Sequence, residues 1–576
     1  MHVDNASRQY VGKNGEQRVT RCFLLRRSYR DANGKPQKET LANISDLPDN
    51  AIAGLRLLLR GATLVEAESS LTVERSVPHG NVAAIHLMAK KLSMPSLLGP
   101  ECRERDIAYA LILSRAVRPK SKLSTVRWWN HGDTTLAADL GMSNVSTSDI
   151  YSAMDWLVMQ QERIERKLAK RHLREGGIAM YDLSSSWVEG TKCELAAFGH
   201  SRDGKHGKMQ IEYGLMTDPE GRPVGIKVFA GNTSDPESFK SAITKARTDF
   251  GLKELIFVGD RGMITKTRIA DLRKLEGARW VTALKAPDIA ALAADDGPLQ
   301  MSLFDEQDFA EISHPDYPDE RLVCCRNPAL KSARARKRQE LLEATEENLA
   351  KIAKSVKSGR LKDPDKIGLR VGKIINKHKV GKHFIWEIKD GIFEYRRDEE
   401  KIAAEATLDG IYVIRASILE ENATAPELVQ TYKNLKHVER DFRTIKADDI
   451  DVRPIYHFRT RRVESHMLIC MLAAYLTWHL RKTLAPLTFT DQNIPASSNP
   501  VTPAGRSEEA SRKDSTQRTK DDFPVYRYRD LLDHLATLSR QTVNFNGQRI
   551  EKITIPTPVQ ARAFELLGGP VPVALT

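Results

Sequence analysis

Over the first 45 residues apolar and polar positions alternate, and the run DANGKP places Asn-Gly turn chemistry between two strand-like stretches, which predicts a small β element. From about 46 to 175 the apolar spacing changes to steps of three and four. DNAIAGLRLLLRGA, RERDIAYALILSRAV and DIYSAMDWLVMQQERIERKLAKRHLRE each predict a helix, the last opened by a capping pattern from Ser146 to Asp149. The period then shortens. GIAMYDLSS, MQIEYGLMTD, PVGIKVFAG and ELIFVGD are β-rich runs separated by turns such as DPEGRP. Between the third and fourth lies one helical stretch, GNTSDPESFKSAITKARTDFG, started by Asp235 before Pro236 and ended at Gly251. A meander of three strands, a crossover helix and a fourth strand make an α/β nucleus, which RIADLRKLEGARWVTALKAP extends by a helix and a strand.

From about 288 to 407 this rhythm is lost. ALKSARARKRQELLEATEENLAKIAKSVKSGRLKDPDK is a charged helical run between strand-like ERLVCCR and FIWEIKDGIFEY, and DGIYVIRAS then resumes a buried-strand pattern. The segment therefore reads as an insertion into the α/β core, with Trp386 its candidate contact residue. A helix is predicted over 426–447, followed by the apolar helix VESHMLICMLAAYLTWHLRKTL. A Pro-, Ser- and Thr-rich linker over 486–522 and a last amphipathic helix, YRDLLDHLATLSRQ, finish the chain. The expected divisions are a β element at 1–45, a helical region at 46–175, the core's first part at 176–287, the insertion at 288–407, the core's second part at 408–485, and linker and tail at 486–576.

The 576 residues allow several cores. An excess of 89 Lys and Arg over 76 Asp and Glu leaves a net charge of +13, which favours polyanionic partners through counterion release. Six scattered cysteines without a CxxC pair point to a reducing cytoplasm. The polar start shows no signal peptide, and MLICMLAAYL is too short to span a bilayer, so no membrane role is expected. In RAVRPKSKLSTVRWW the cations Arg115, Arg118, Lys120, Lys122 and Arg127 interleave with Trp128 and Trp129. This cluster either grips phosphates or forms a solvated helix face closing on core tryptophans.

Asp182 stands at the end of IAMYD and Asp260 at the end of LIFVGD, and carboxylates at the carboxyl ends of neighbouring strands face the crevice where open α/β sheets hold ligands. Taken alone, each is more often a turn residue or helix cap. A third carboxylate comes from QTYKNLKHVERDFRTIK. At about 100° per residue a step of seven returns to nearly the same direction, so Tyr432, Glu439 and Lys446 share a stripe beside Leu435 and Phe442. This predicts Glu439 on the face that packs against the sheet. Three adjacent buried carboxylates repel one another unless a divalent cation joins them, and oxygen donors without a His or Cys cluster favour Mg²⁺, with Mn²⁺ able to substitute. Two such ions could activate a water or hydroxyl and stabilise the leaving oxygen of a phosphodiester.

MYDLSS, VGDRGM and the spacing Y-x2-L-x3-E-x6-K resemble the signatures of DDE insertion-sequence transposases with an RNase H-like core, in particular the IS-four-like group marked by a Tyr-Arg-Glu-Lys motif. DGK at 203–205, FAGNTSD at 229–235, DGIYVIRAS and RPIYHFRTRRVESH match as well. The resemblance runs from about 80 to 480. It implies an α/β RNase H-like catalytic core interrupted by an insertion domain, with Asp182, Asp260 and Glu439 as catalytic and metal-binding residues. It also implies that Tyr432 and Lys446 contact the transposon-end DNA. The group's Arg falls at Leu435, and neighbouring Lys436 is turned by about 100° from that position. Lys436, Arg443, Arg118, Lys120 and Lys122 are the further candidates for DNA phosphates. The partners implied are double-stranded DNA, as terminal inverted repeats and as target, and a second copy of the chain in a homodimer or larger synaptic complex. The setting implied is the bacterial cytoplasm, at the nucleoid.

Other chemistries fit less well. A tyrosine recombinase would use HVER at 437–440 with Tyr456 or Tyr475 as nucleophile, and would leave both strand-end aspartates without a role. A catalytically inactive, repurposed DNA-binding descendant would have no need of all three acids. Glycoside hydrolysis would need aromatic sugar platforms, and aromatics are 6% of the chain. GLRVGKI lacks phosphate-loop spacing, and His457 and His466 read as core residues.

Overall fold

The computed structural model describes all residues except 12–15, 63–70, 295–296, 390–391, 496, 498, 546 and 576. The chain forms two compact units, Met1–Val77 with Arg540–Thr554, and Pro78–Ser539 with Ile555–Thr576.

In the first unit, strands β1 (His2–Val11), β2 (Gln17–Arg30) and β3 (Pro36–Asn43) form an antiparallel sheet. The β2–β3 turn works as its sequence predicts. Asp31 Oδ1 accepts from the N–H groups of Asn33 (3.0 Å) and Lys35 (2.9 Å), and Gly34 takes φ +76°. After helix Asp49–Leu59 comes β4 (Leu71–Pro78), where the spacing had suggested continuous helix. Its partner explains the difference. Glu74 accepts from Asn544 (3.0 Å) and Arg549 (2.7 Å), so β4 joins the hairpin Ser539–Phe545 and Gln548–Ile553 and gains ladder partners some 470 residues away in sequence.

The second unit is built on an eight-stranded sheet. Its strands are β5 (Gly177–Trp187), β6 (Gln210–Thr217), β7 (Pro223–Ala230), β8 (Leu255–Val258), β9 (Ala278–Ala283), β10 (Phe309–Ile312), β11 (Arg321–Arg326) and β14 (Ile411–Ala416). The order is β10-β11-β14-β9-β8-β5-β6-β7. β5, β6 and β7 form an antiparallel meander, helix Asp235–Thr248 crosses over, and β8 and β9 run parallel to β5. This is the RNase H-like arrangement. Phe239 of the crossover helix meets the Tyr181 ring at a tilt and the Phe257 ring edge-on, and Tyr181 fills the space above Gly214, where a Cβ would lie 1.7 Å from its hydroxyl. Helix Thr460–Thr483 carries the apolar run and is buried almost throughout, because β7 and the helices Gly80–Lys91, Arg103–Val117 and Thr147–Met159 enclose it. Among the described residues no helix is long and apolar enough to cross a membrane.

Between antiparallel neighbours β11 and β14 the chain makes a long excursion. Helices Pro328–Lys357 and Pro364–His378 and the hairpin of β12 (Phe384–Lys389) with β13 (Ile392–Arg397) close over a core of their own around Leu349, Ile367 and Phe393. β10 and β11, which precede it, belong to the large sheet instead. The Pro- and Ser-rich stretch near 500 is pinned rather than loose. Val501 is buried, Asn499 donates to Asp308 (2.7 Å), and Lys433 donates to the carbonyls of Pro500 and Val501 (2.6 Å each).

Candidate active site

The parallel register of β5 with β8 pairs Ala179 with Phe257 and Met180 with Val258. Continued by two residues, it sets Asp182 beside Asp260, where β8 has ended and the chain turns away into the crevice. Leu183 N–H donates to Asp182 Oδ1 (2.8 Å), while Gly262 and Met263 donate to Asp260 Oδ1 (3.0 and 2.9 Å). Both carboxylates are thus oriented by backbone amides.

Glu439 comes from helix Leu435–Arg443, which lies over β5 and β6 and buries Val438, Asp441 and Phe442. Phe442 meets the Tyr213 ring edge-on at 5.8 Å. Here the expectation fails in one respect: Glu439 is exposed, not on the packed face. The packing stripe runs through Val438, Phe442 and Ile445, and Glu439 sits one residue, about 100°, around from it. That rotation aims it at the crevice. Burial pushes the Asp182 carboxyl up to about 7, and the charges of Asp260 and Glu439 add to the rise, while the Leu183 amide and Arg202 oppose it. Tyr432, half-buried, is pushed up to about 12 by burial and then by Asp260, with Glu439 and Asp182 contributing. The three acids therefore lie within electrostatic reach of one another. Among the described residues no group of three or more His, Cys, Asp or Glu side chains is placed so that it could hold a metal ion, the three acids included.

The single predicted helix is divided. Ala425–Lys433 and Leu435–Arg443 meet at Asn434, and Thr444–Asp448 forms one π-helical turn. The wider turn takes Lys446 out of line with Glu439. Lys446 is buried and donates to Asp203 Oδ1 (2.7 Å), which also accepts from Arg453 (2.7 Å). Lys436 and Arg443 are exposed on the helix that carries Glu439, and Leu435 is half-buried. In the helical layer Arg118 lies over the Trp128 ring at 5.4 Å, Lys120 is exposed and Lys122 is buried.

Sequence reasoning passed over Arg202, Glu212 and Asp235. Arg202 pairs with Asp235, and Glu212, pushed up to about 7 by burial, also feels the Arg202 charge. A Cβ on Gly262 would lie 3.4 Å from Asp260 Oδ1 and 3.5 Å from Asp235 Oδ2, so Asp235 is a fourth carboxylate at the crevice. The signal was in SRDGK and FAGNTSD, whose acidic and basic residues had no assigned chemistry.

The transposase DDE domain matches residues 185–476, just over half of the chain. The chain belongs to the DDE transposases. The matched segment begins three residues after Asp182 and contains Asp260 and Glu439. The N-terminal domain of IS1634 family transposases matches residues 11–70, within the first unit. The function is accordingly that of a DNA transposase. The cryo-EM structure of the piggyBac transposase synaptic complex with hairpin DNA aligns over 72% of the transposase described here and 78% of that chain, at 10% identity and a TM-score of 0.34. No curated protein matches significantly.

Proposed function

We propose that the transposase hydrolyses DNA at the ends of its element with Asp182, Asp260 and Glu439 as catalytic, metal-holding residues, and that the freed 3′-hydroxyl then attacks target DNA. The observation that carries this reading is the β5–β8 register, which aligns Asp182 with Asp260, together with the repulsion that Asp182 feels from both other acids. The residues suit divalent cations in kind. All donors are hard carboxylate oxygens, and their mutual repulsion is what a bound cation offsets. Mg²⁺ suits such donors, and Mn²⁺ can replace it. The chemistry a bound ion supplies is activation of a nucleophilic oxygen and stabilisation of the leaving one.

The protein's own groups do the rest. The amides of Leu183, Gly262 and Met263 fix the orientation of two carboxylates, and Arg202 offsets excess negative charge beside them. Lys436 and Arg443, exposed on the Glu439 helix, hold strand phosphates near the cut, and Tyr432 contacts the transposon end. Lys446 fits the Tyr-Arg-Glu-Lys group by spacing, and its bond to Asp203 gives it a positioning part at the end of that helix. Helices between 46 and 175 read the terminal repeats, two or more copies hold both ends, and the insertion supports that assembly. The cytoplasm, at the nucleoid, is the setting.

The test is a nicking assay on supercoiled DNA carrying the element's ends. Wild type should cut with Mg²⁺ or Mn²⁺ and stop with chelator. Cleavage that survives chelation would contradict the assignment, and wild type that binds ends without ever cutting them would favour a repurposed DNA-binding protein.

A further inference from the structure

A second charged region of the same unit carries the opposite sign. A cavity of about 410 Å³ opens between helix Arg103–Val117, the start of helix Lys122–Asn130, the segment 451–457 and helix Thr460–Thr483. Two cations line it although both are buried: Arg115 and Lys122 are each 7% exposed. Their partners are neutral. Arg115 donates to the Ile450 carbonyl (3.4 Å) and reaches His466 Nδ1 (3.5 Å), and Lys122 Nζ lies 3.3 Å from the same nitrogen. His466 Nε2 faces the Val452 carbonyl (3.2 Å), so Nδ1 is the lone-pair side and His466 adds no charge. Burial and the neighbouring Arg115 bring the Lys122 ammonium down to about 7.

Burying two like charges without a counter-charge is costly, and a fold retains such an arrangement where a ligand supplies the missing sign. Lys120 stands exposed among the lining residues, Asp451 is the one acidic lining residue and is exposed, and Ser121, which caps helix Lys122–Asn130, lines the same space. The volume holds roughly a dozen waters at about 30 Å³ each, more than a bare phosphate fills. Arg453, also on the wall, donates to the Asp203 that holds Lys446, which ties the cavity to the end of the Glu439 helix.

We propose that this cavity is a subsite for one backbone phosphate of bound DNA, separate from the three carboxylates, with Arg115 and Lys122 as its ligands. It rests on the transposase reading for the source of the phosphate.

The test uses the full chain as wild type, Lys122→Met, Arg115→Met and the charge-conserving Lys122→Arg. Melting temperature is measured in phosphate and in chloride at matched ionic strength, and binding of a labelled mixed-sequence duplex is followed against salt. Phosphate should raise the wild-type melting temperature, and both Met variants should lose that increment. Each should also lose about 0.9 from the slope of log K against log salt, while Lys122→Arg keeps most of both. In chloride Lys122→Met should melt no lower than wild type, since it removes an uncompensated charge. A large drop there would make the lysine structural and overturn the proposal. Phosphate stabilisation lost with an unchanged DNA slope would mean a free-anion site and overturn the DNA assignment. Wild type that binds duplex with variants indistinguishable from it fails this proposal alone, whereas wild type that binds no duplex fails the transposase reading as well.

Discussion

The crevice at the middle of β5 and the end of β8 and the cavity around Lys122 are built from the same materials with the signs reversed. In the first, Asp182, Asp260 and Glu439 repel one another, and Asp235 is already neutralised by Arg202. In the second, Arg115 and Lys122 face one another across a neutral imidazole. Several other buried charges of the same unit are paired within the chain, Glu165 with Lys245, Glu320 with Arg415, Asp203 with Lys446 and Arg453, although among the described residues Glu212 and Asp441 are not. The contrast teaches where partners from outside are expected. On the reading proposed above, a cation would complete one region and a phosphate the other.

The sharpest way to break the comparison is to remove the acids. Asp182→Asn, Asp260→Asn or Glu439→Gln should each lower end cleavage on the order of a thousand-fold or more, the scale for losing a charged group from a phosphoryl-transfer site. End binding in a gel-shift assay should stay near wild type, because the basic surface carries it. Next in size is Asp203→Asn. It strands two cations at a carboxylate site whose side chain is only 2% exposed, and chemical denaturation should show a loss of about 3 kcal/mol. Lys446→Ala, which leaves Arg453 on Asp203, should cost less, and equal losses would show that the pair does not share the carboxylate as drawn.

A smaller effect separates the two regions directly. Mg²⁺ or Mn²⁺ should stabilise wild type by about 1–3 kcal/mol at saturating concentration, as ligand linkage requires. Asp260→Asn should lose that gain while Lys122→Met retains it; cross-reactivity in either direction would merge what are drawn here as separate sites. The smallest effect is in acid. The pKa of His457 is lowered to about 3 by burial and by Lys122 and Arg115, with Arg462 adding to them, and burial with the same two cations also holds His466 well below its ordinary value. Depressed folded-state values mean that the unfolded chain takes up these protons first. The stability they contribute is complete above about 6.5 and declines as pH falls below it. Urea midpoints at pH 8 and pH 5 should differ less for His457→Gln than for wild type, and an identical difference would remove that imidazole from the cluster.

Much of this was legible in the chain itself. β5 to β9 and the crossover helix announce themselves through β-rich runs and a Pro-started helix, and Asp260 follows the end of β8 as expected, whereas β5 continues past Asp182 to Trp187, so that carboxylate lies in mid-strand. The side of the helix on which Glu439 falls was not legible. Adjacent positions differ by about 100°, and which of them packs depends on Tyr213 across the interface, not on the helix alone. β4 escaped because its ladder partner is remote in sequence. The basic cavity was legible in part: the cations of RAVRPKSKLSTVRWW read either as a phosphate grip or as a solvated face, with Lys122 a phosphate candidate, but their burial did not show. Arg115 and Lys122 look like part of a solvated cationic face until the helix bearing His466 covers them, and His466 looks like an ordinary core residue until two cations converge on its nitrogen.

Anomalous diffraction from crystals of the transposase grown with Mn²⁺ and an element-end duplex tests the central claim most directly. The account predicts manganese density bounded by the carboxylates of Asp182, Asp260 and Glu439, with metal–oxygen distances of about 2.0–2.3 Å. Manganese bound elsewhere while that crevice stays empty, or bound there without Glu439 or Asp182 as a ligand, would contradict it.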